Sequence, residues 1–277
     1  MLPSYLLSLR EGLEAALIIG IVLGALRKIR RTDLAPAVWY GTFSAIGLSV
    51  IAGWILTAIG FELDGTAEQI FEGFTMLLAA GILTWMIFWM HTQSRHIKSE
   101  LEAGVNKAAA TTGQRALFGL AFIAVVREGI ELALFLTAAT FASDAIQTVI
   151  GALLGLGTAA LLGWSLFATT VRLDLRRFFK VTGILLILFA AGLVAHGVHE
   201  FNEAGWIPEV IEHIWDLNAI LSETSFAGTI FKTLFGYNAN PSLTEIIAYA
   251  LYLIAVFFSL RRLMRKEDAA EKVTAQA

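Results

Sequence analysis

Cysteine is absent from the 277 residues, which removes disulfides, thiolate zinc sites, iron–sulfur clusters and cysteine nucleophiles together. Any metal must be held by oxygen and nitrogen. Charge is also scarce, at 16% of residues, and nearly balanced, with 20 Lys+Arg against 23 Asp+Glu. There is no basic surplus to neutralise nucleic-acid phosphates and no acidic run of the disordered kind. What fills the chain instead is apolar: 57% hydrophobic residues and 24 glycines, together roughly two thirds where about 45–50% is usual. A soluble globule is excluded.

Crossing the hydrocarbon core takes about 20 apolar residues. Seven runs qualify: 3–26, 36–60, 70–90, 116–142, 145–171, 181–200 and 244–260. The expected fold is therefore an all-α integral membrane protein with seven transmembrane helices. The first run lacks a basic n-region and carries charges in its middle, so it reads as a retained span, with the mature chain starting near Met1. Cytoplasmic loops collect Lys and Arg. Of the 20 basic residues, all but Arg10, Arg127 and Lys232 fall on one side, in the groups Arg27–Arg31, Arg95–Arg115, Arg172–Lys180 and Arg261–Lys272. This predicts N-out/C-in. The outer loops are acidic, with Glu62, Asp64, Glu68, Asp144, Glu209, Glu212, Asp216 and Glu223, a field that favours an approaching cation.

Arg10-Glu11-Gly12-Leu13-Glu14 in the first span recurs as Arg127-Glu128-Gly129-Ile130-Glu131 in the fourth, and Ala79-Ala80-Gly81 in the third recurs as Ala190-Ala191-Gly192 in the sixth. The chain reads as a 3+3 inverted-topology repeat plus one helix: repeat one over 3–90, repeat two over 116–200, an outer amphipathic segment over 204–243 and a seventh helix over 244–260, all within a single transmembrane domain, 1–277. Inverted repeats place substrate near the bilayer midplane. At 1.5 Å rise per residue, Glu11 and Glu14 lie about 12–17 Å along their span and Glu128 and Glu131 about 18–23 Å along theirs. The two pairs meet near the centre from opposite faces.

A charge at the centre of a span costs about 2.5–3.5 kcal/mol, and each Leu or Ile returns only about 0.3–0.6. Arg10, Glu11 and Glu14, like Arg127, Glu128 and Glu131, must therefore face other helices. Arg10/Glu14 and Arg127/Glu131 are i,i+4 neighbours able to pair, and the bland reading of the arginines is that they lock two helices together. Four carboxylates against two guanidiniums still leave two negative charges in low dielectric, to be met by protons or a bound cation. Hard carboxylate oxygens suit Mg, Ca, Mn and the iron ions.

A second constellation ends the sixth span, where His196, His199, Glu200 and Glu203 share one helical stripe. Imidazole moves the preference toward Fe, Zn, Cu or Ni, while a helix end at the polar interface is the ordinary alternative. Trp85, Met86, Trp89, Met90 and His91 in the third span read as interfacial belt and packing. Gly151 and Gly155 read as a small-xxx-small contact.

The two R-E-G-x-E copies resemble the signature of the oxidase-dependent iron permease family, found in fungal high-affinity iron permeases and bacterial EfeU-type permeases. Leu83-Thr-Trp-Met-Ile-Phe-Trp-Met90, Phe235-Gly-Tyr237 and Pro241-Ser242 resemble the bacterial branch. The resemblance implies iron import across the cytoplasmic (inner) membrane, Glu11, Glu14, Glu128 and Glu131 as iron ligands, and Arg10 and Arg127 as the motif arginines. Iron is then a transported substrate, with no further cofactor. It also implies a separate periplasmic iron-donor or oxidase partner. The residues leave Fe(II) and Fe(III) open. Two rivals share part of the evidence. A proton-coupled transporter of another divalent metal fits every electrostatic argument. A membrane-embedded di-iron or zinc enzyme fits less well, because Glu-x-x-His is not present on two helices, H-E-x-x-H is missing and five histidines are too few for histidine boxes.

Overall fold

The computed structural model describes residues 1–93, 97–110, 113–168, 175–208, 211, 214–218, 221–222, 225, 228, 231–232 and 235–274. Arg95, Arg172, Glu209, Glu212, Glu223 and the end of the fifth predicted span, 169–171, lie outside the described residues. Regular structure among the described residues is wholly helical: α1 (Leu2–Lys28), a 3-10 turn (Thr32–Leu34), α2 (Ala35–Glu62), α3 (Thr66–Gln93), α4 (Ile97–Ala110), α5 (Gln114–Ala142), α6 (Ala145–Ala168), α7 (Leu175–Glu203) and α8 (Leu243–Thr274). Proline occupies the first turn of both α1 and α2, where its missing N–H removes no helical bond.

Five described stretches are long and apolar enough to cross a membrane: Thr32–Gly60, Thr66–Met90, Ala145–Ser165, Arg177–Glu203 and Leu243–Leu263. The two long helices outside that set, α1 and α5, are the two that carry the repeated charged motif. Large apolar side chains face outward along α2 and α6, among them Tyr40, Phe43, Trp54, Leu153, Leu161 and Trp164. In water this belt would far exceed the apolar patch of an ordinary monomer. Against lipid it is the matching surface, and the protein is a multi-pass membrane protein.

Inside the bundle, α1 packs lengthwise on α6, α2 on α5 and α3 on α7, while α1 crosses α5 and α8 lies on α7. Small residues set the closest approaches. A Cβ added at Gly12 would stand 2.7 Å from Ala159 Cβ, and one at Gly163 the same distance from Ala16 Cβ; Gly129 meets Ser49, and Gly53 meets Ala133. Without hydrocarbon–water segregation to hold helices together, such backbone proximity is what fixes them. Gly151 and Gly155 act the same way, against Met1 and Ser4 and against Tyr5 and Ser8.

Two apolar clusters flank the motif helices. Leu7, Met76, Leu83, Phe135, Leu186, Phe189 and Leu193 join α1, α3, α5 and α7. Val22, Leu26, Val38, Val105, Ala108 and Leu117 join α1, α2 and α5 to α4. Helix α4 lies in what reads in the sequence as a plain basic connection. Its Val105 and Ala108 are buried, and the Lys28–Glu102 pair at 3.9 Å is exposed and adds little. The described part of the 204–243 segment packs against α7. Gly236, with φ +64, sits directly on Gly192 of α7, Ala239 is fully buried, and Leu217 N–H donates to the Ala239 carbonyl at 2.8 Å. Part of this segment therefore tucks into the bundle. A side chain at either Gly192 or Gly236 would prevent it.

Candidate metal-transport site

Where α1 crosses α5, Glu11, Glu128 and Glu131 each direct a carboxylate oxygen into one group, all within 4.8 Å of one another. Glu11 is 1% and Glu128 2% exposed. Both oxygens of Glu11, Oε2 of Glu128 and Oε2 of Glu131 are buried and accept no hydrogen bond. Burying carboxylate oxygens without donors costs several kcal/mol per ion, a cost that protonation or a bound cation can offset. Oxygens bound at about 2.1 Å to one ion are at most about 4.2 Å apart, and closing from 4.8 Å takes only a small side-chain shift.

The two copies of the motif pair differently. Arg10 is buried; its Nε donates to Glu14 Oε1 at 3.0 Å and its Nη2 to Met90 Sδ at 3.1 Å. Arg127 is 46% exposed; its Nε donates to Glu128 Oε1 at 3.1 Å, its Nη2 also donates to that oxygen, and it stands 3.7 Å from Glu131 Oε1. The expected i,i+4 ion pair forms in both copies, but in α5 the arginine lies closer to the adjacent Glu128. Glu14 is thereby diverted from the group that Glu131 joins. The guanidinium of Arg127 also lies over the Trp89 ring, 4.9 Å from its centroid. Trp89 and Met90 of α3 thus each hold one motif arginine, beyond the belt and packing role read from the sequence. Period 3.6 alone does not say which of these aromatics and thioethers turns inward.

The α7 stripe is held apart from this group. His196 Nδ1 lies 3.0 Å from the Gly192 carbonyl oxygen, and its imidazole lines a cavity with Met1, Ser4, Ser143, Lys232 and Gly236. His199 is bridged between Glu203 Oε1 at 3.2 Å and Glu245 Oε1 at 3.1 Å. Glu203 accepts from Gln69 at 3.0 Å, and Glu200 lies within electrostatic reach of Glu203, Glu68 and Glu72. Among the described residues, the three-carboxylate group of α1 and α5 is the one with metal-ligand spacing; the histidines do not join it. Glu245 went unnoticed in the sequence although Ser242-x-x-Glu245 is a capping-box pattern. Ser242 N–H donates to Glu245 Oε1 at 3.2 Å and Glu245 N–H to Ser242 Oγ at 3.3 Å, so the residue that starts α8 also anchors His199.

A bundle of apolar helices that crosses two charged ones to bury a group of carboxylates has the construction of a helical membrane transporter. The chain belongs to the iron permease FTR1 family, whose model matches residues 1–269. It is 38% identical over 256 residues to the ferrous iron permease EfeU of Escherichia coli O157:H7, covering 92% of this chain and 93% of that one. It is 37% identical to the protein of the same name from Yersinia pestis, covering 92% and 91%. No solved structure matches. The family and its relatives are described as permeases, not as enzymes.

Proposed function

We propose that this protein imports ferrous iron across the inner membrane through a midplane site built by the two R-E-G-x-E copies. The observation that carries the reading is the bare carboxylate group of Glu11, Glu128 and Glu131, drawn from both copies. Pairing Arg10 with Glu14 and Arg127 with Glu128 leaves two carboxylates in excess, the charge that one Fe(II) neutralises. The name of the relatives, ferrous iron permease, points the same way.

Seven spans, N-out and C-in, arranged as two inverted triplets plus α8, are the topology we assign. The packing supports it: exchanging the triplets turns the α1–α6 contact into α5–α2 and leaves α3–α7 and α1–α5 unchanged. The close approaches exchange too. Gly12 with Ala159 becomes Gly129 with Ser49, and Ala16 with Gly163 becomes Ala133 with Gly53. By the same exchange, Glu14 takes the place of Glu131 in the opposite conformation, with the arginines swapping roles. All four glutamates then serve transport, each arginine holding back one carboxylate so that the ion is not bound too tightly to leave.

Iron reaches this site from an acidic outer mouth of Glu68, Glu72, Glu200 and Glu203, with His196 and His199 beneath, where a separate periplasmic iron donor or oxidase would deliver it. Purified protein in liposomes tests the substrate: uptake of labelled Fe(II) is expected to resist a tenfold excess of Mg(II), and to be inhibited by unlabelled Fe(II) more strongly than by Mn(II). Preferential inhibition by Mn(II) would assign the site to another divalent metal.

A further inference from the structure

We propose that Leu7 and Phe135 form the outer gate of the iron path. The inference rests on the topology and carboxylate site assigned above. Leu7 precedes Glu11 by one helical turn in α1, and Phe135 follows Glu131 by one turn in α5. Because the two helices run in opposite senses through the membrane, both side chains stand about 6 Å to the outer side of the carboxylates, on the same helical stripes.

Both are fully buried, and they belong to one apolar cluster with Phe189 and Leu193 of α7. Phe189 and Leu193 also line the cavity that carries Ser4, Ser143, His196 and Lys232. The order along the path is therefore a small, mostly apolar cavity that also carries the polar side chains of Ser4, Ser143, His196 and Lys232, an apolar layer and then the carboxylates. A hydrated ion does not cross such a layer, since an apolar constriction sheds water and gates by dewetting.

The inner side is built differently. The positions that the repeat pairs with Leu7 and Phe135 are Ala124, one turn before Glu128, and Ile18, one turn after Glu14. Both are only half-buried and neither is in the cluster that holds Leu7 and Phe135. The neighbouring Arg127 is 46% exposed. In this conformation the carboxylates are sealed from outside by a Leu–Phe pair and more weakly screened from inside by an Ala–Ile pair. Admission of iron then requires Leu7 and Phe135 to part.

The natural absence of cysteine makes the gate directly testable by thiol labelling. Single Ser143→Cys and Ala124→Cys variants are treated with a small charged thiosulfonate in right-side-out and in inverted membrane vesicles. Ser143→Cys is expected to react from outside, and Ala124→Cys from the inner face alone. Adding Phe135→Ala or Leu7→Ala to Ala124→Cys raises its outside labelling rate by on the order of tenfold or more, as removal of an apolar constriction demands. Outside labelling of Ala124→Cys at the Ser143→Cys rate while Leu7 and Phe135 are both present, or no acceleration by either truncation, overturns the gate. The Ala124→Cys comparison needs no truncated variant, so a folding defect in one does not blunt it. Labelling requires no iron, so failure of the carboxylate site, read as unchanged Fe(II) binding in Glu11→Gln, is scored separately from failure of the gate.

Discussion

Glu11→Gln is expected to bring iron uptake to background, a fall of at least about 100-fold, since loss of even a supporting residue around a metal costs about 10–100-fold. The same variant is expected to insert normally and to melt no lower than the parent. Glu11 is buried with neither oxygen hydrogen-bonded, so an isosteric amide removes an uncompensated charge without opening a cavity. Glu131→Gln should behave alike, because its Oε2 is also bare. A residue whose neutralisation ends function yet costs no stability is held in place by function. Uptake and a thermal melt on one preparation check this; parental uptake, or a collapse of the fold, contradicts it.

Arg10→Met reverses that pattern. Arg10 is buried and its Nε holds Glu14 at 3.0 Å, and removing one partner of a buried pair costs about 3–5 kcal/mol. Set against a total of about 5–15 kcal/mol, this is a large loss, and the detergent-solubilised protein should melt about 10 °C lower. Replacing both partners with neutral groups of similar volume is nearly free, so Arg10→Met/Glu14→Gln should recover most of the melting temperature. It should not recover uptake, because Glu14 is assigned a ligand role in the opposite conformation. Parental transport by the double variant would reduce Glu14 to a structural counter-charge.

The sequence exposes the parts of this molecule that hydrocarbon makes costly. Three charges within an apolar run cannot face lipid, so Arg10, Glu11, Glu14, Glu128 and Glu131 are marked as interior by composition alone, and the repetition marks the crossing; Arg127, 46% exposed, departs from that expectation. The unequal pairing is not legible. Whether Arg127 bonds Glu128 or Glu131 depends on rotamers set by Trp89 stacking on its guanidinium, and Trp89 belongs to a helix far away in sequence. Met90 is hidden for the same reason. Glu245 left a local trace in its capping box, but its contact with His199 joins residues across the 204–243 segment. That segment is a mixture of apolar and turn-forming residues without a period, and the close approach of Gly236 to Gly192 shows only once α7 is in place. Helix α4 is short and half polar, so its buried Val105 and Ala108 carry too few apolar positions to stand out from the basic connection around them.

The central claim is that bare carboxylates of both motif copies hold the transported ion. The most direct measurement is anomalous scattering at the iron edge from crystals of the protein soaked anaerobically with Fe(II). The account predicts one peak among Glu11, Glu128 and Glu131, at about 2.0–2.3 Å from their oxygens, and its disappearance in Glu11→Gln crystals. A peak confined to the His196–Glu203 stripe, with none between α1 and α5, would contradict it.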